Sequence, residues 1–467
     1  MKTILKSVVL LSLLVIPFSC TDMNDNPVPS GLAVNDFIWK GLNLYYLWQQ
    51  DVLDLADNRF ANQSELNTFL GTYTNPVDLF NHLRTDAVTD RFSVIYSDYS
   101  VLEGVLSGTT MNNGMDYGLR YKDNTNTDVI GWVRYVLPNS DASAKGIHRG
   151  DLFYAIDGVP LTATNYRTLT TPSSYTVNLV DYDNGNYTPN GQSITLTKTN
   201  ISENPIFINT VIPQGTHNIG YLMYNGFYAS YDSQLNAAFG ALKSQNVTDL
   251  VLDLRYNSGG SINSATKLAS MITGQFSGQL FAKQQWNAKA QAYYESSNPS
   301  SLENRFIGGL NSLHLNKVYI LTTKGTASAS ELVINCLKPY INVIQIGDVT
   351  IGKNVGSITL YDSPTFVSKN SINPNHKYAM QPIVLKIVNK LGVGDYTTGI
   401  VPTTSLPEHL YSLGILGQSD EPLLSEAINQ IVANGKKAPQ QEGPIVRDFM
   451  DAKSIDPLRT EMYLDPQ

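Results

Sequence analysis

Cysteine is nearly absent: Cys20 and Cys336 are the only two in 467 residues, so a disulfide framework is excluded as the source of stability. Clustered lysine and arginine are also missing, and the formal charge is −8. Phosphate backbones are bound by clustered cations, so a nucleic-acid partner is not expected. None of the six histidines (His82, His148, His217, His314, His376, His409) stands at metal-ligand spacing or in a triad context. That argues against a zinc enzyme, and neither a metal nor a cofactor is expected. Beyond residue 18, no apolar run is long enough to cross a bilayer.

What is present begins at the amino end. Lys2 and Lys6 precede an apolar run from Val8 to Phe18, followed by Ser19-Cys20. This order reads as a secretory leader, residues 1–19, because the run is too short to span. A cysteine at the cut resembles a bacterial lipoprotein signal, which implies lipidation of Cys20 and a membrane anchor. The polar, proline-containing residues after it suit a tether over 20–33. The expected location is the cell envelope, outer membrane, facing the periplasm or the cell surface.

The remainder is hydrophobic enough, at 42%, to fill several cores, and its patterning changes twice. Residues 34–103 carry helical spacing, as in Phe37, Ile38, Leu42, Tyr45 and Tyr46. Residues 104–212 read as short strands and turns. Within them, 138–161 run as a small-residue helix, a Gly146 stop, a Gly150-Asp151 turn, an apolar strand and an Asp157-Gly158 turn. That run resembles a PDZ domain of the bacterial protease type. The resemblance implies peptide capture by strand addition, with Tyr117-Gly118-Leu119 as the loop cradling a terminal carboxylate. Asp181 to Asn186 lacks complete calcium-ligand spacing and reads as a hairpin turn. Residues 213–435 alternate strands and helices, predicting a crossover-connected sheet flanked by helices. Residues 436–467 turn polar and read as a peripheral tail. The expected fold class is therefore multidomain α+β and α/β: a helical region, a PDZ-like β-rich domain and a crossover-connected catalytic sheet.

Three motifs follow strands of that last region, at the end where open α/β sheets gather ligands. They are Arg255-Tyr256-Asn257-Ser258-Gly259-Gly260, then Lys324-Gly325-Thr326-Ala327-Ser328-Ala329-Ser330-Glu331, then Gly352-Lys353. A strand–helix–strand crossover separates Ser328 from Lys353, so parallel neighbouring strands would let hydroxyl and amine meet. Such a pair suits acyl transfer, with Ser328 as nucleophile and a neutral Lys353 as base. Holding that lysine neutral requires its pKa to fall from about 10.4 towards 7–8, which costs roughly 3–5 kcal/mol. Backbone amides at Gly259, Gly260 and Ala329 would serve the oxyanion. Each motif also has a plainer reading. Ser328 to Glu331 spells a capping box, Lys353 could be a solvated loop lysine, and Gly259-Gly260 a helix-entry turn. Lys324 and Lys338 lie nearer to Ser328 in sequence, and no local rule excludes either as the base.

Taken together, 253–260, 326–331 and 347–353 resemble the C-terminal processing peptidases, or tail-specific proteases, a family of serine–lysine peptidases with an N-terminal helical region and a PDZ domain. The resemblance covers roughly residues 34–432. It implies that Ser328 is the nucleophile and Lys353 the general base, with oxyanion amides in the Gly259-Gly260 turn and at Ala329. The implied substrate is a polypeptide recognised by its C-terminus. Many members carry a glutamine four residues after the lysine, where this chain has Ser357, so Ser357 is the candidate for orienting the base. The competing expectation is a surface lipoprotein on the same fold that binds peptide or glycan without cutting it.

Overall fold

The structure, a computed structural model, describes residues 28–433 except 124 and 184, together with 448–451 and 461–465. The leader and Cys20 lie outside the described residues.

A six-stranded sheet carries the three motifs. Its strands run in the order Ile206–Gln214, His217–Tyr224, Asp249–Asp253, Lys317–Thr322, Asn342–Gly347 and Thr404–Ser405. The first pairs antiparallel with its neighbour, and the rest are parallel. Both faces are buried, which is why Leu250-Val251-Leu252 is a continuous apolar run rather than an alternating one. Leu222, Leu250, Leu252 and Ile320 pack with residues of the helices Asp232–Ser244, Ile262–Thr273 and Ala329–Leu337. Tyr221, Val251, Tyr319 and Leu321 pack with Leu424, Ala427 and Ile428 of the helix Pro422–Val432. The right-handed crossover rule and short connections then bring the loops after residues 253, 322 and 347 to one sheet end.

The amino-terminal helices are not a detached module. Phe37, Ile38 and Leu42 of the helix Ala33–Tyr45 join the first of those cores. The strand Val94–Tyr96 pairs with Ala379–Gln381, tying this region to the sheet domain. The middle domain is a mainly antiparallel sheet holding its own core of Val133, Phe153, Ile156, Val177 and Leu196. Among the described residues, no helix is long and apolar enough to cross a membrane.

Three expectations need correction. The boundary at 212/213 cuts a strand: Ile206–Gln214 forms a hairpin with His217–Tyr224 and is the edge of the six-stranded sheet. Its turn at Gly215, φ 61°, reads locally like a domain junction. Second, Tyr117-Gly118-Leu119 is not a loop. It lies within the strand Met115–Tyr121, paired on one side with Val129–Val136 and on the other with Asp448–Asp451. Gly118 is glycine because a Cβ there would press on the Trp132 indole, at 2.4 Å from its Nε1 and 2.8 Å from its Cε2. Third, the described parts of 436–467 are not peripheral. Glu461, Met462 and Tyr463 are at most 4% exposed.

Candidate active site

Ser328 sits between the strand Lys317–Thr322 and the helix Ala329–Leu337, fully buried. The turn before it is anchored to the first motif. The Thr326 hydroxyl donates to the Leu254 carbonyl at 2.9 Å, and the Ala327 amide donates to the Asn257 carbonyl at 3.1 Å. A serine that merely capped the helix would hold an extended backbone and accept a first-turn amide. Ser328 departs from that geometry. Its φ is 65° and its ψ −116°, and although it stands in a capping box with Glu331, its hydroxyl makes no hydrogen bond of normal geometry. Left-handed backbone at a non-glycine residue costs on the order of 1–3 kcal/mol, and the surrounding bonds must hold it there.

Glu331 supplies that restraint. Its Oε2 accepts the Ser328 amide at 2.7 Å and the Lys353 amide at 2.8 Å. Its Oε1 accepts the Gly352 amide at 2.7 Å and the Thr350 hydroxyl. The carboxylate thus stitches the serine turn to the lysine loop. Burial pushes its pKa above the ordinary carboxylate range, against the pull of these donors. Sequence reasoning saw Glu331 only as a cap, because its bonds to residues 350–353 depend on the crossover.

Lys353 follows Gly352, whose φ of 89° and close approach to the Thr397 carbonyl exclude a side chain. The lysine is fully buried. Its Nζ lies 4.4 Å from the Phe92 ring centroid and 3.2 Å from Glu461 Oε2, and makes no hydrogen bond of normal geometry. Burial lowers its pKa from the ordinary 10.5, with Glu461 and Asp90 pulling the other way. The hydroxyl and the amine make no hydrogen bond to each other; the hydroxyl has no partner, and the amine faces the Glu461 carboxylate. The two rival lysines are placed elsewhere. Lys324 is about half exposed and lies 3.7 Å from Asp348, and Lys338 follows the far end of the nine-residue helix that Ser328 starts.

The glycine pair divides its tasks. The Gly259 amide donates to Asn257 Oδ1 at 2.9 Å, so it is spent within its own turn and does not face the serine as an oxyanion donor. What Gly259 contributes is absence: a Cβ would lie 2.6 Å from Ser328 Cβ and 2.8 Å from Oγ. The Gly260 amide does point at a carbonyl, that of Glu461, at 2.5 Å. Ala329, the first residue of the helix, has an amide with no intrahelical acceptor. Ser357 meets the lysine only through Glu461, whose Oε2 faces both groups. The Ser357 hydroxyl donates to Glu461 Oε2 at 2.8 Å and accepts from Gln381 Nε2 at 3.0 Å.

Behind the glycine turn lies a buried ionic cluster. Arg255, fully buried, bonds Asp253, Glu421 and Glu408. Arg149 of the middle domain bonds the same Glu408 at 2.8 Å and the Tyr256 hydroxyl at 2.7 Å. The middle domain is thereby fastened to the loop that carries Gly259 and Gly260. Among the described residues no group of His, Cys, Asp and Glu could hold a metal ion.

Two stretches match family models: residues 218–364 match Peptidase family S41 and residues 33–94 match the Peptidase S41 N-terminal domain. The chain is 26% identical over 264 residues to carboxyl-terminal-processing peptidase 2, chloroplastic, of Arabidopsis thaliana, covering 51% of this chain and 48% of that protein. It is 24% identical over 327 residues to the C-terminal processing peptidase, chloroplastic, of Tetradesmus obliquus, covering 64% of this chain and 67% of that one. The chain therefore spans about half to two thirds of these curated relatives. A solved protein from Bacteroides fragilis described as an S41 protease superposes with a TM-score of 0.65 at 26% identity, over 86% of this chain and 98% of its own. The photosystem II D1 C-terminal processing protease shares the fold, with a TM-score of 0.51 at 18% identity over 86% of this chain and 99% of its own. With both family models matched in chain order, residues 33–94 and 218–364 of this chain are domains of peptidase family S41.

Proposed function

We propose that this protein is a serine endopeptidase that hydrolyses polypeptides through an acyl-enzyme on Ser328, with Lys353 as the general base. One observation carries the reading: a buried, uncommitted hydroxyl on a left-handed residue is tied through Glu331 to the loop bearing a buried lysine of lowered pKa. A structural cap has no use for that arrangement.

The chemistry follows from the groups. Ser328 Oγ attacks the carbonyl carbon of the scissile bond as its proton passes to Lys353 Nζ. Negative charge collects on the carbonyl oxygen, where the Gly260 and Ala329 amides donate to it. A side-chain donor in such a hole is worth about 2.7–4 kcal/mol elsewhere, so two fixed amides are a large contribution. Collapse of the intermediate breaks the C–N bond, and the leaving amine takes the proton from the Lys353 ammonium. Water then attacks the acyl-enzyme, again losing its proton to Lys353, and releases the new carboxyl end with Ser328 restored.

Recognition of polypeptide C-termini is assigned to the middle domain, in strand-addition fashion. Support comes from the strand Met115–Tyr121, whose side away from Val129–Val136 takes up an antiparallel strand, Asp448–Asp451, of this chain. Anchoring at Cys20 in the cell envelope completes the reading, and loss of fatty-acid incorporation in Cys20→Ala tests it. The non-catalytic alternative is motivated by Ser357 in place of a base-orienting glutamine and by the 27 tyrosines; no labelling of Ser328 by a serine-reactive probe, alongside measurable peptide or glycan binding, would favour it.

The decisive experiment measures degradation of an unstructured polypeptide by the intact chain, Ser328→Ala and Lys353→Ala. Loss in both variants, with unchanged folding by circular dichroism, is the expected result. Equal activity in all three would remove the dyad.

A further inference from the structure

The strand Met462–Tyr463 lies where a substrate of this catalytic centre would lie. It pairs in parallel with Gly260–Ser261 on one side, Gly260 facing Met462 and Ser261 facing Tyr463. On the other side Tyr463 pairs with Ser357, and the Leu464 amide donates to the Ser357 carbonyl at 3.2 Å. A single segment therefore bridges the oxyanion turn and the strand that follows the base.

Its individual atoms sit on the catalytic groups. The Glu461 carbonyl oxygen accepts the Gly260 amide at 2.5 Å, the bond a scissile carbonyl would make. That oxygen also crowds the point where a Gly259 Cβ would stand, a point 2.8 Å from Ser328 Oγ. The Glu461 carboxylate lies 3.2 Å from Lys353 Nζ and accepts from the Ser357 hydroxyl. Further anchors hold the segment down. The Tyr463 hydroxyl donates to the Leu106 carbonyl at 2.8 Å, and the Ser261 hydroxyl donates to Asp465 at 2.8 Å. The Met462 side chain is fully buried within the main core.

We propose that residues 461–465 form a self-inhibitory strand that fills the substrate groove. The Glu461 carbonyl takes an oxyanion donor, its carboxylate holds the base amine, and the strand takes both flanking edges from an incoming polypeptide. The inference rests on the reading of Ser328 and Lys353 as the catalytic pair. It adds where and how the substrate lies: extended, parallel to Gly260–Ser261 and Val355–Ser357, in the register of this strand. Being part of the same chain, the occupant competes as an intramolecular ligand, so weak local affinity suffices.

The test compares the full chain, a variant lacking residues 461–467, and Glu461→Gln, which keeps the strand but removes the charge facing Lys353. Each is assayed for hydrolysis of dye-quenched denatured casein and for the rate of Ser328 labelling by a fluorophosphonate. A synthetic peptide of sequence EMYLDPQ, residues 461–467, is titrated onto the truncated variant. Expected are rates about tenfold or more higher after truncation, in keeping with loss of an intramolecular competitor. A smaller rise is expected in Glu461→Gln, with competitive inhibition of the truncated form by the peptide. Hydrolysis and labelling equal in all three forms would overturn the proposal and leave the peptidase reading standing. So would a mass showing the chain cut after Glu461, which makes the strand a substrate. If the peptide binds the truncated variant and no form hydrolyses casein or reacts with the probe, the catalytic reading falls, and inhibition falls with it. Should truncation unfold the chain, Glu461→Gln decides alone, a rate equal to that of the intact chain counting against the proposal.

Discussion

Glu331 and Lys353 are joined backbone to side chain: the Glu331 carboxylate accepts the Lys353 amide at 2.8 Å while the same oxygen accepts the amide of Ser328. Glu331→Ala would leave the Ser328, Gly352 and Lys353 amides without their acceptor and free the two loops from each other. A misplacement of about 1 Å costs on the order of 100-fold in rate. The expected outcome is a fall of that size in kcat with little change in KM, read by steady-state kinetics on a peptide substrate, with partial rescue by Glu331→Gln.

On the proposed mechanism Lys353 sets the pH dependence. Only a neutral amine accepts the serine proton, so kcat/KM is expected to fall as pH drops through its pKa. Burial lowers that pKa below the ordinary 10.5 and Arg91 acts in the same direction, while Glu461 and Asp90 oppose them. Activity should therefore persist to lower pH than an exposed lysine would allow, with a single acid limb assignable to this group. Lys353→Arg, which cannot lose its proton, should be inactive across the whole profile.

Arg255 is a stability residue. Removing one member of a buried ionic cluster leaves uncompensated charge and costs about 3–5 kcal/mol. Arg255→Met would strand Asp253 and Glu421, both buried, and should lower the denaturant midpoint by a corresponding amount in equilibrium unfolding.

Gly259→Ala should abolish activity, because the added methyl meets the Ser328 side chain and the φ of 118° is strained for any L-residue. Labelling of Ser328 by a fluorophosphonate, measured beside a thermal melt, separates this local block from unfolding.

Cys336 should resist thiol reagents in the folded protein. It is free and fully buried in the main core, and burial raises its pKa far above the ordinary thiol value. Reaction with a thiol reagent should appear only with unfolding by denaturant.

The sequence by itself determined the parallel sheet and the helices that cover it. Runs such as Leu250 to Leu254 and Val318 to Leu321 carry their burial in their composition, and the serine and lysine turns keep the spacing that one crossover dictates. Only the tertiary structure decided what those residues bond. Ser328 and Glu331 spell an ordinary helix cap, but the Glu331 carboxylate also takes the amides of a loop twenty residues on. The Asp448–Asp451 and Met462–Tyr463 strands carried no legible signal, since a strand of two to four residues forms only where a finished edge is present to pair it.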